Sequence, residues 1–255
     1  MTLQIATWNI FFGNDLSSIF SALRTHKDFR HLDMFAIQEA STHAGIEDAR
    51  KIAAVLGKTY AYYQVTSHTD KGRIQANAFV WNTKSVSIVK KSVIDLPTAA
   101  DVALGPNEKI LKSLLPSGKR KSLVLEGIFA NRSFRIYVTH FDVVGFIHKN
   151  EQLACILRDD KKREPVDFSC ILGDLNTFSF FKRPNWLSLK KIALTYGYLD
   201  ITTHISWTFH LQAIRFRQKL DAILLKDALH IRHTSWSSYI PGSDHIPLFA
   251  KIEVE

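Results

Sequence analysis

Cys170-Ile-Leu-Gly-Asp-Leu-Asn176 decides the fold prediction more than any other stretch, because an apolar run stops there at a glycine and two polar residues. The run predicts a buried strand over 166–172, and the residues after it predict a turn that presents Asp174 and Asn176. Side chains two residues apart in extended backbone project to the same side. One of the pair can therefore hold a water molecule while the other binds a phosphate oxygen.

Polar residues stand at the ends of other short apolar runs in the same way. They are Asn9 after 5–8, Glu39 after 34–38, His140 after 134–139, and Asp244 with His245 before 246–250. Asp221 differs, because it lies inside the apolar run 219–224 and needs a partner such as a histidine to offset its desolvation. If these strand ends converge at one sheet edge, they form a cleft that suits a hard divalent cation and a phosphate ester.

The composition is that of a folded chain with a basic surface. It has 255 residues, of which 46% are hydrophobic, which excludes a disordered tail and suits a single domain over 1–255. Lys and Arg outnumber Asp and Glu by 33 to 24, and the net charge of +9 favours anionic partners. Nucleic acid, a phosphorylated small molecule and an anionic lipid surface all fit. A monomer is the default for one basic domain.

The chain lacks the sequence marks of export or membrane insertion. Its N-terminus has no basic region followed by an apolar stretch. No apolar run comes close to the length of a membrane span, which is about 20 residues. Cys155 and Cys170 both lie in apolar surroundings, which predicts buried small hydrophobes in a reducing compartment. We expect a cytoplasmic protein with no transmembrane segment.

Hydrophobic periodicity predicts alternating helices and strands, and hence a layered α/β sandwich. The first helix is expected to be capped by Asn14 or Asp15, and the second to end at Gly57. Predicted helices cover 16–23, 46–56, 151–157 and 186–196; predicted strands cover 3–8, 34–38, 60–66, 74–81, 85–93, 123–130, 134–139, 166–172, 205–209, 220–225, 230–235 and 246–254. The hairpin of 123–130 and 134–139 indicates mixed sheets. Residues 95–121 lack periodicity and predict a long loop, with 118–121 as a solvated basic tip.

Six polar motifs spread over almost the whole chain carry a family resemblance. They are Thr7-Trp-Asn-Ile10, Gln38-Glu39, Thr139-His140, Gly173-Asp-Leu-Asn-Thr177, Lys219-Leu-Asp221 and Ser243-Asp-His-Ile-Pro247. The most specific part is Gly-Asp-x-Asn, followed about 70 residues later by Ser-Asp-His-x-Pro. In kind and order these motifs resemble the endonuclease/exonuclease/phosphatase superfamily, in its deoxyribonuclease-like, His-bearing branch.

The resemblance implies a four-layer α/β sandwich of two packed mixed β-sheets flanked by helices, with a cleft at one edge. It implies phosphoester hydrolysis that depends on a divalent metal, Mg²⁺ in the usual case and Mn²⁺ as the alternative. Carried over residue by residue, Glu39 is the main metal ligand, and Asn9 and Asp244 contribute to the metal site.

The resemblance also implies a role for each catalytic candidate. Asp174 positions or deprotonates the attacking water, and Asn176 binds a phosphate oxygen. His245 contacts the scissile phosphate and is oriented by Asp221, while His140 contacts the phosphate from the other side. Either Asp174 or His245 can be the base, and we favour Asp174. The remaining histidines show no metal-ligand spacing.

Substrate choice depends on features outside the six motifs. The stretch 178–186 mixes aromatic residues with cations, which suits a nucleic-acid groove, and Phe178, Lys182 and Arg183 are the substrate-binding candidates. Arg73 is a further candidate for a phosphate contact. We expect a phosphodiesterase, a nuclease acting on DNA. The alternatives are a lipid or small-molecule phosphoesterase, of the sphingomyelinase or phosphoinositide phosphatase type, and a non-catalytic binding module on the same scaffold.

Overall fold

The computed structural model describes residues 1–70, 72–98, 109, 118–143, 145–178, 185–211, 213 and 215–254. The helices are α1 (Leu16–Thr25), α2 (Asp48–Leu56), α3 (Phe146–Lys162) and α4 (Asn185–Thr195). The strands are β1 (Thr2–Asn9), β2 (Met34–Ala40), β3 (Thr42–His43), β4 (Ile46–Glu47), β5 (Tyr60–Asp70), β6 (Arg73–Asn82), β7 (Val86–Leu96), β8 (Arg120–Phe129), β9 (Arg132–His140), β10 (Phe168–Asp174), β11 (Tyr198–Asp200), β12 (Phe209–Leu211), β13 (Phe216–Gln218), β14 (Asp221–Lys226), β15 (His233–Ser237) and β16 (Leu248–Glu253). Short 3₁₀ turns cover Phe11–Gly13 and Lys27–Phe29.

Two six-stranded sheets form the centre of the fold. The first has the order β15-β16-β1-β2-β6-β5, and the second has the order β11-β14-β10-β9-β8-β7. Each sheet contains one parallel pair, β1 with β2 and β10 with β9, and its other pairs are antiparallel. The mixed sheets expected from the hairpin are therefore confirmed.

Side chains that alternate along the strands divide the core into three apolar layers. In β1, Leu3 and Ile5 point into the layer between the two sheets, where they pack with residues such as Ile136 and Leu172. Trp8 points to the other face, toward apolar residues of α1 and α2. A third cluster joins the second sheet to α3 and α4. The order helices, sheet, sheet, helices confirms the four-layer α/β sandwich.

The helix boundaries follow from local capping. The Asp15 carboxylate accepts a hydrogen bond from the Ser18 amide at 3.1 Å, so Asp15 caps α1 as one of the two predicted residues. Gly57 ends α2 with a φ of +132°, in the region that favours glycine, and its amide donates to the Ala53 carbonyl. No helix within the described part of the chain is long and apolar enough to cross a membrane.

Strand register brings the polar strand ends to one edge of the sandwich. Asn9 pairs with Gln38 in the first sheet, so β1 and β2 end side by side. In the second sheet, Asp174 pairs with His140 on one side and with Asp221 on the other. Parallel neighbours present their carboxyl ends at the same edge, and the antiparallel β14 starts where β10 ends.

Four sequence expectations are wrong in detail. Residues 95–121 are not all loop, because Leu96 ends β7 opposite Arg120, the first residue of β8. Arg120 is only 3% exposed, so 118–121 is not a solvated basic tip; the buried Gln75 carbonyl accepts from its guanidinium. Cys155 is half-buried rather than buried. Residues 205–208 are not a strand, and only Phe209 of the predicted segment begins β12. The assignment of 1–255 to a single domain stays a prediction.

A buried ion-pair network fastens α3 to the second sheet. Arg135 of β9 donates to Asp160 of α3 at 2.8 Å and to Glu126 of β8 at 2.9 Å. The Lys226 ammonium donates to the other Asp160 oxygen at 2.8 Å. Burial acts to raise the pKa of Asp160, but the hydrogen bonds from Lys226 and Arg135 outweigh it and hold the pKa below its ordinary value.

We expect Asp160→Asn to lower the free energy of unfolding at pH 7 by about 3–5 kcal/mol, because it leaves the buried Arg135 without a charged partner in α3. A depressed pKa stabilises the fold above the unfolded value of about 3.9, and this contribution disappears as the pH falls through the folded value. The stability difference between wild type and variant should therefore shrink in acid. Urea unfolding from pH 7 down to pH 3 measures it. The exposed Glu253, 3.6 Å from Arg232, provides the control: Glu253→Gln should cost less than about 1 kcal/mol.

Candidate active site

A buried Asp–His pair joins the two sheets at the cleft. His245 lies just before β16 of the first sheet, and its Nδ1 is 2.8 Å from Asp221 Oδ2 in the second. Both residues are at most 4% exposed. Asp221, His245 and Asp174 each place a ligand-type atom within 4.8 Å of the other two. His245 is therefore the histidine that the buried Asp221 was expected to need as a partner.

The amide of Asn9 lies between two carboxylates. Its Nδ2 donates to Asp174 Oδ2 at 3.0 Å, and the same side chain is close enough to Glu39 to oppose the rise in that pKa caused by burial. Its Oδ1 accepts from the Phe11 amide at 3.0 Å, which fixes the orientation of the side chain. Glu39 adopts a φ of +53°, an uncommon backbone conformation for a residue other than glycine. This turn at the end of β2 holds Glu39 beside Asn9.

His140 faces the same carboxylates from β9. Its Nε2 is 3.5 Å from Asp174 Oδ2 and 3.8 Å from Glu39 Oε1. On the opposite side of the cluster, the Nε2 of His245 is 3.8 Å from Asp174 Oδ2. Asp174 therefore lies between two imidazoles, close enough for both to share one small ligand with it.

Asn176 closes the cleft beside Asp174. Its backbone amide donates to Asp174 Oδ1 at 2.8 Å, and its side-chain Nδ2 donates to the Phe141 carbonyl at 2.9 Å. Asn176 has a φ of +49°, which its short side chain tolerates better than most. The protein thus uses one of the two protons of this side-chain amide.

Several residues that hold the site in place had no assigned role in the sequence interpretation. Ser243 donates to the Asn9 carbonyl at 2.6 Å, and Trp8 donates from Nε1 to the His245 carbonyl at 2.9 Å. The Thr208 hydroxyl accepts from the amides of Leu220 and Asp221 at 2.9 and 3.0 Å. Trp8 and Ser243 stand inside the quoted motifs, but Thr208 carries no local signal, because its contacts depend on strand packing.

The cleft concentrates negative charge away from water. Burial raises the pKa of Glu39 to about 7 and that of Asp174 to about 6, and neighbouring carboxylates add to both shifts. Burial also raises the pKa of Asp244. It acts to lower the pKa of His245, but Asp221 and the other carboxylates overcome it and raise that pKa to about 10. A cluster that resists ionisation in this way is suited to a cation.

The four substrate-binding candidates differ in where they lie relative to the cleft. The ring of Phe178 lies 5.8 Å from Phe209, whose ring is 5.1 Å from His245, so Phe178 is connected to the site. Arg73 is exposed, and its guanidinium donates to Asn14 Oδ1 at 3.4 Å in the loop after Asn9. Lys182 and Arg183 lie outside the described residues.

Solved structures with the same architecture cover the chain almost from end to end. A protein from Bacteroides vulgatus named endonuclease/exonuclease/phosphatase has 17% identity and a TM-score of 0.73, with 100% of both chains covered. D. rerio TDP2 complexed with a single-strand DNA product has 15% identity and a TM-score of 0.71, with 99% of both chains covered. A Bacteroides thetaiotaomicron mannosyl-6-phosphatase has 15% identity and a TM-score of 0.68, with 99% of this chain and 100% of that chain covered.

The chain has the endonuclease/exonuclease/phosphatase fold. The expectation drawn from the six motifs is confirmed at this level. Neither a scan against models of protein families nor a search of curated proteins gives a match. At identities of 15–17%, the structural similarity establishes the architecture of the chain but not its substrate.

Gly173, the residue before Asp174, has no room for a side chain in this endonuclease/exonuclease/phosphatase fold. Gly173 has a φ of +142°, and a Cβ atom there would lie 1.9 Å from the Thr139 carbonyl oxygen in β9. We expect Gly173→Ala to push β10 away from β9 and to move Asp174 out of the cluster. Stability to urea should fall along with any metal-dependent activity. Gly45→Ala, where an added Cβ meets nothing within 4 Å, is the matched control, since its φ is also positive. Equal stability of the two variants would contradict this prediction.

The charge on Asp221 should control the protonation of His245 in the metal-free protein. We expect Asp221→Asn to lower the pKa of His245 substantially from about 10, because burial then acts without its main opposing charge. Titration of the histidine ring signals by NMR in EDTA measures the shift. Asp227→Asn, at an exposed loop position outside the cleft, should leave the titration unchanged. A His245 that titrates alike in wild type and Asp221→Asn would show that the pairing does not act as described.

Proposed function

We propose that the protein is a divalent-metal-dependent phosphodiesterase that hydrolyses DNA. The observation that carries this is the cleft itself, in which Glu39, Asp174 and His245 come together although they are far apart in sequence. Such a group would be costly in a purely structural role, since the carboxylates of Glu39, Asp174, Asp221 and Asp244 lie close together in a largely buried site. Its polar groups also face one another rather than apolar packing.

The donor set fits a hard divalent cation. Glu39 and Asp244 offer carboxylate oxygens, and Asn9 holds the neighbouring Asp174 by donating to its Oδ2; Mg²⁺ and Mn²⁺ both prefer such oxygen donors. Burial raises the pKa values of Glu39 and Asp174, although the charge of His245 opposes the rise. A divalent cation held by Glu39 and Asp244 would add positive charge at this site and would offset the charge of the phosphoryl oxygens.

The cleft residues divide into proton acceptors and donors. Asp221 and the other carboxylates raise the pKa of His245 to about 10, so at neutral pH its ring carries a proton that it can donate to a phosphoryl oxygen. Asp174, with a pKa near 6, is mostly ionised at pH 7 and takes the proton of the attacking water. This supports Asp174 as the base. Asp221 stabilises the charged His245, while His140 and Asn176 face the phosphoryl oxygens.

Nucleic acid is the substrate class that the surroundings of the cleft favour. The β12–β13 hairpin lies beside His245, and Phe209 of β12 is in ring contact with Phe178 and Phe216 at 5.8 and 6.5 Å. The exposed Arg217 lies 4.6 Å from the Trp207 ring. Aromatic rings that stack on bases, next to cations that meet phosphates, are typical of single-strand binding surfaces. The name of the D. rerio TDP2 structure, with its bound single-strand DNA product, agrees with this choice.

A phosphomonoesterase acting on a small sugar phosphate is the second candidate. The observation that favours it is the mannosyl-6-phosphatase among the structures with the same fold. Both reactions need the same metal and proton-transfer groups, so only the surroundings of the cleft separate them.

The proposal predicts Mg²⁺-dependent cleavage of single-stranded DNA that EDTA abolishes. Glu39→Gln should reduce kcat/KM by about 100-fold or more, because the main metal ligand is lost, and His245→Ala should do so by a similar factor. The assay compares single-stranded DNA, plasmid DNA, RNA, sphingomyelin vesicles and mannose 6-phosphate, each with Mg²⁺ and with Mn²⁺. Glu253→Gln is the matched control and should retain full activity.

Each outcome of this substrate panel has a distinct meaning. Release of phosphate from mannose 6-phosphate with intact DNA selects the second candidate. Release of phosphocholine from sphingomyelin alone supports a lipid phosphodiesterase. If no substrate is cleaved with either metal, and bis-p-nitrophenyl phosphate also survives, the enzymatic proposal fails and the binding module takes its place.

A further inference from the structure

A buried arginine lies behind His140, on the side of the ring that faces away from the cleft. The Nη1 of Arg120 is 3.5 Å from His140 Nδ1, and the same nitrogen donates to the side-chain carbonyl of Gln75. Arg120, Gln75 and His140 are 3%, 5% and 3% exposed. Gln75 belongs to β6 of the first sheet, whereas Arg120 and His140 belong to β8 and β9 of the second. The contact therefore bridges both sheets directly behind the cleft.

The chemistry of guanidinium restricts how His140 can carry its proton. Arginine has only N–H donors and no acceptor, and it stays charged in proteins. An imidazole nitrogen that faces it must present a lone pair, so Nδ1 is the acceptor and the single ring proton lies on Nε2. That Nε2 is the atom that points into the cleft, 3.5 Å from Asp174 Oδ2.

Two further contacts hold the guanidinium in place. Gln75 accepts from Nη1, and the buried carboxylate of Asp142 lies 3.9 Å from Nη2. Asp142 itself is fully buried, and its backbone amide donates to Gln152 Oε1 at 3.0 Å. The guanidinium of Arg120 is thus held from two sides. Its N–H group therefore always points at His140 Nδ1 from the same direction. A carboxylate at this position would select the other tautomer, with the proton on Nδ1.

We propose that Arg120 is a positioning residue that holds His140 as the Nε2–H tautomer, so that His140 donates a hydrogen bond to the substrate's phosphoryl oxygen. This rests on the proposed phosphoesterase function. It deepens that function, because an Nε2 that already carries a proton cannot take one from the attacking water. His140 is therefore excluded as the base.

The tautomer is measured directly by a long-range ¹H–¹⁵N correlation spectrum of the histidine rings in metal-free protein, with His140→Asn to assign the signals. The expected wild-type result is a pyridine-type Nδ1 and a pyrrole-type Nε2. Arg120→Lys keeps a donor-only cation and should keep this pattern, whereas Arg120→Met should lose it and populate the second tautomer. Arg132→Met removes an exposed arginine at the far end of β9 and should change nothing.

Either of two results would overturn the proposal: a wild-type proton on Nδ1, or an unchanged tautomer in folded Arg120→Met. Removal of Arg120 leaves Asp142 buried without that cation, so Arg120→Met can fail to fold. In that case Arg120→Gln replaces it, because its amide can accept as well as donate and should therefore give a tautomer mixture. The wild-type spectrum decides the position of the proton whichever variant folds.

Activity provides a second readout. With bis-p-nitrophenyl phosphate and Mg²⁺, Arg120→Met should lower kcat by about 10–100-fold, the usual loss for a residue that orients another, with KM near the wild-type value. Arg120→Lys should recover part of the loss. Full activity of Arg120→Met contradicts the positioning role. An inactive wild-type protein contradicts the proposed function instead, and the spectra still test what Arg120 does to His140.

Discussion

The 2.8 Å contact between Asp221 and His245 is the interaction on which the cleft depends. It crosses from one sheet to the other, so the pair forms only when the sheets are packed face to face. It also places a positive charge among Glu39, Asp174 and Asp244, which would otherwise repel one another away from water. The fold and the electrostatics of the cleft are therefore coupled. Each sheet contributes one residue of the pair, and either charge would be costly to bury without the other.

Other polar contacts at the same edge join the sheets in a similar way. Asn9 of the first sheet donates to Asp174 of the second, and Gln75 of the first accepts from Arg120 of the second. The centre of the sandwich is apolar, so these contacts are confined to its edge. Contacts from both sheets fix the positions of these donors, which suits the proposed hydrolysis, since fixed donors need little reorganisation when charge develops on a phosphoryl oxygen.

The fold leaves the substrate open, and the surroundings of the cleft narrow it. Structures with this architecture and similar coverage include proteins named for DNA and for sugar-phosphate chemistry. The reacting groups are compatible with either, because both reactions displace an oxygen at phosphorus. Phe209, in contact with His245, and the Arg217–Trp207 pair extend an aromatic and basic surface away from the reacting groups. Such a surface suits a polymer of stacked bases better than a small sugar, which is the basis for proposing DNA as the substrate.

The sequence alone determined the features that depend on neighbours in the chain. The Asp15 cap, the end of α2 at Gly57 and the apolar strands follow from local hydrogen bonding and periodicity, and the order of six motifs predicted which polar residues would meet. Only the tertiary structure decided what each of these residues touches. Lys119-Arg120-Lys121 has the composition of a solvated tip, yet Arg120 is buried against Gln75 and His140. Thr208 likewise shows no local signal for its contact with the Asp221 amide. The reason is physical: burial and pairing of a polar side chain depend on groups that approach from other strands, and a local pattern does not contain their positions.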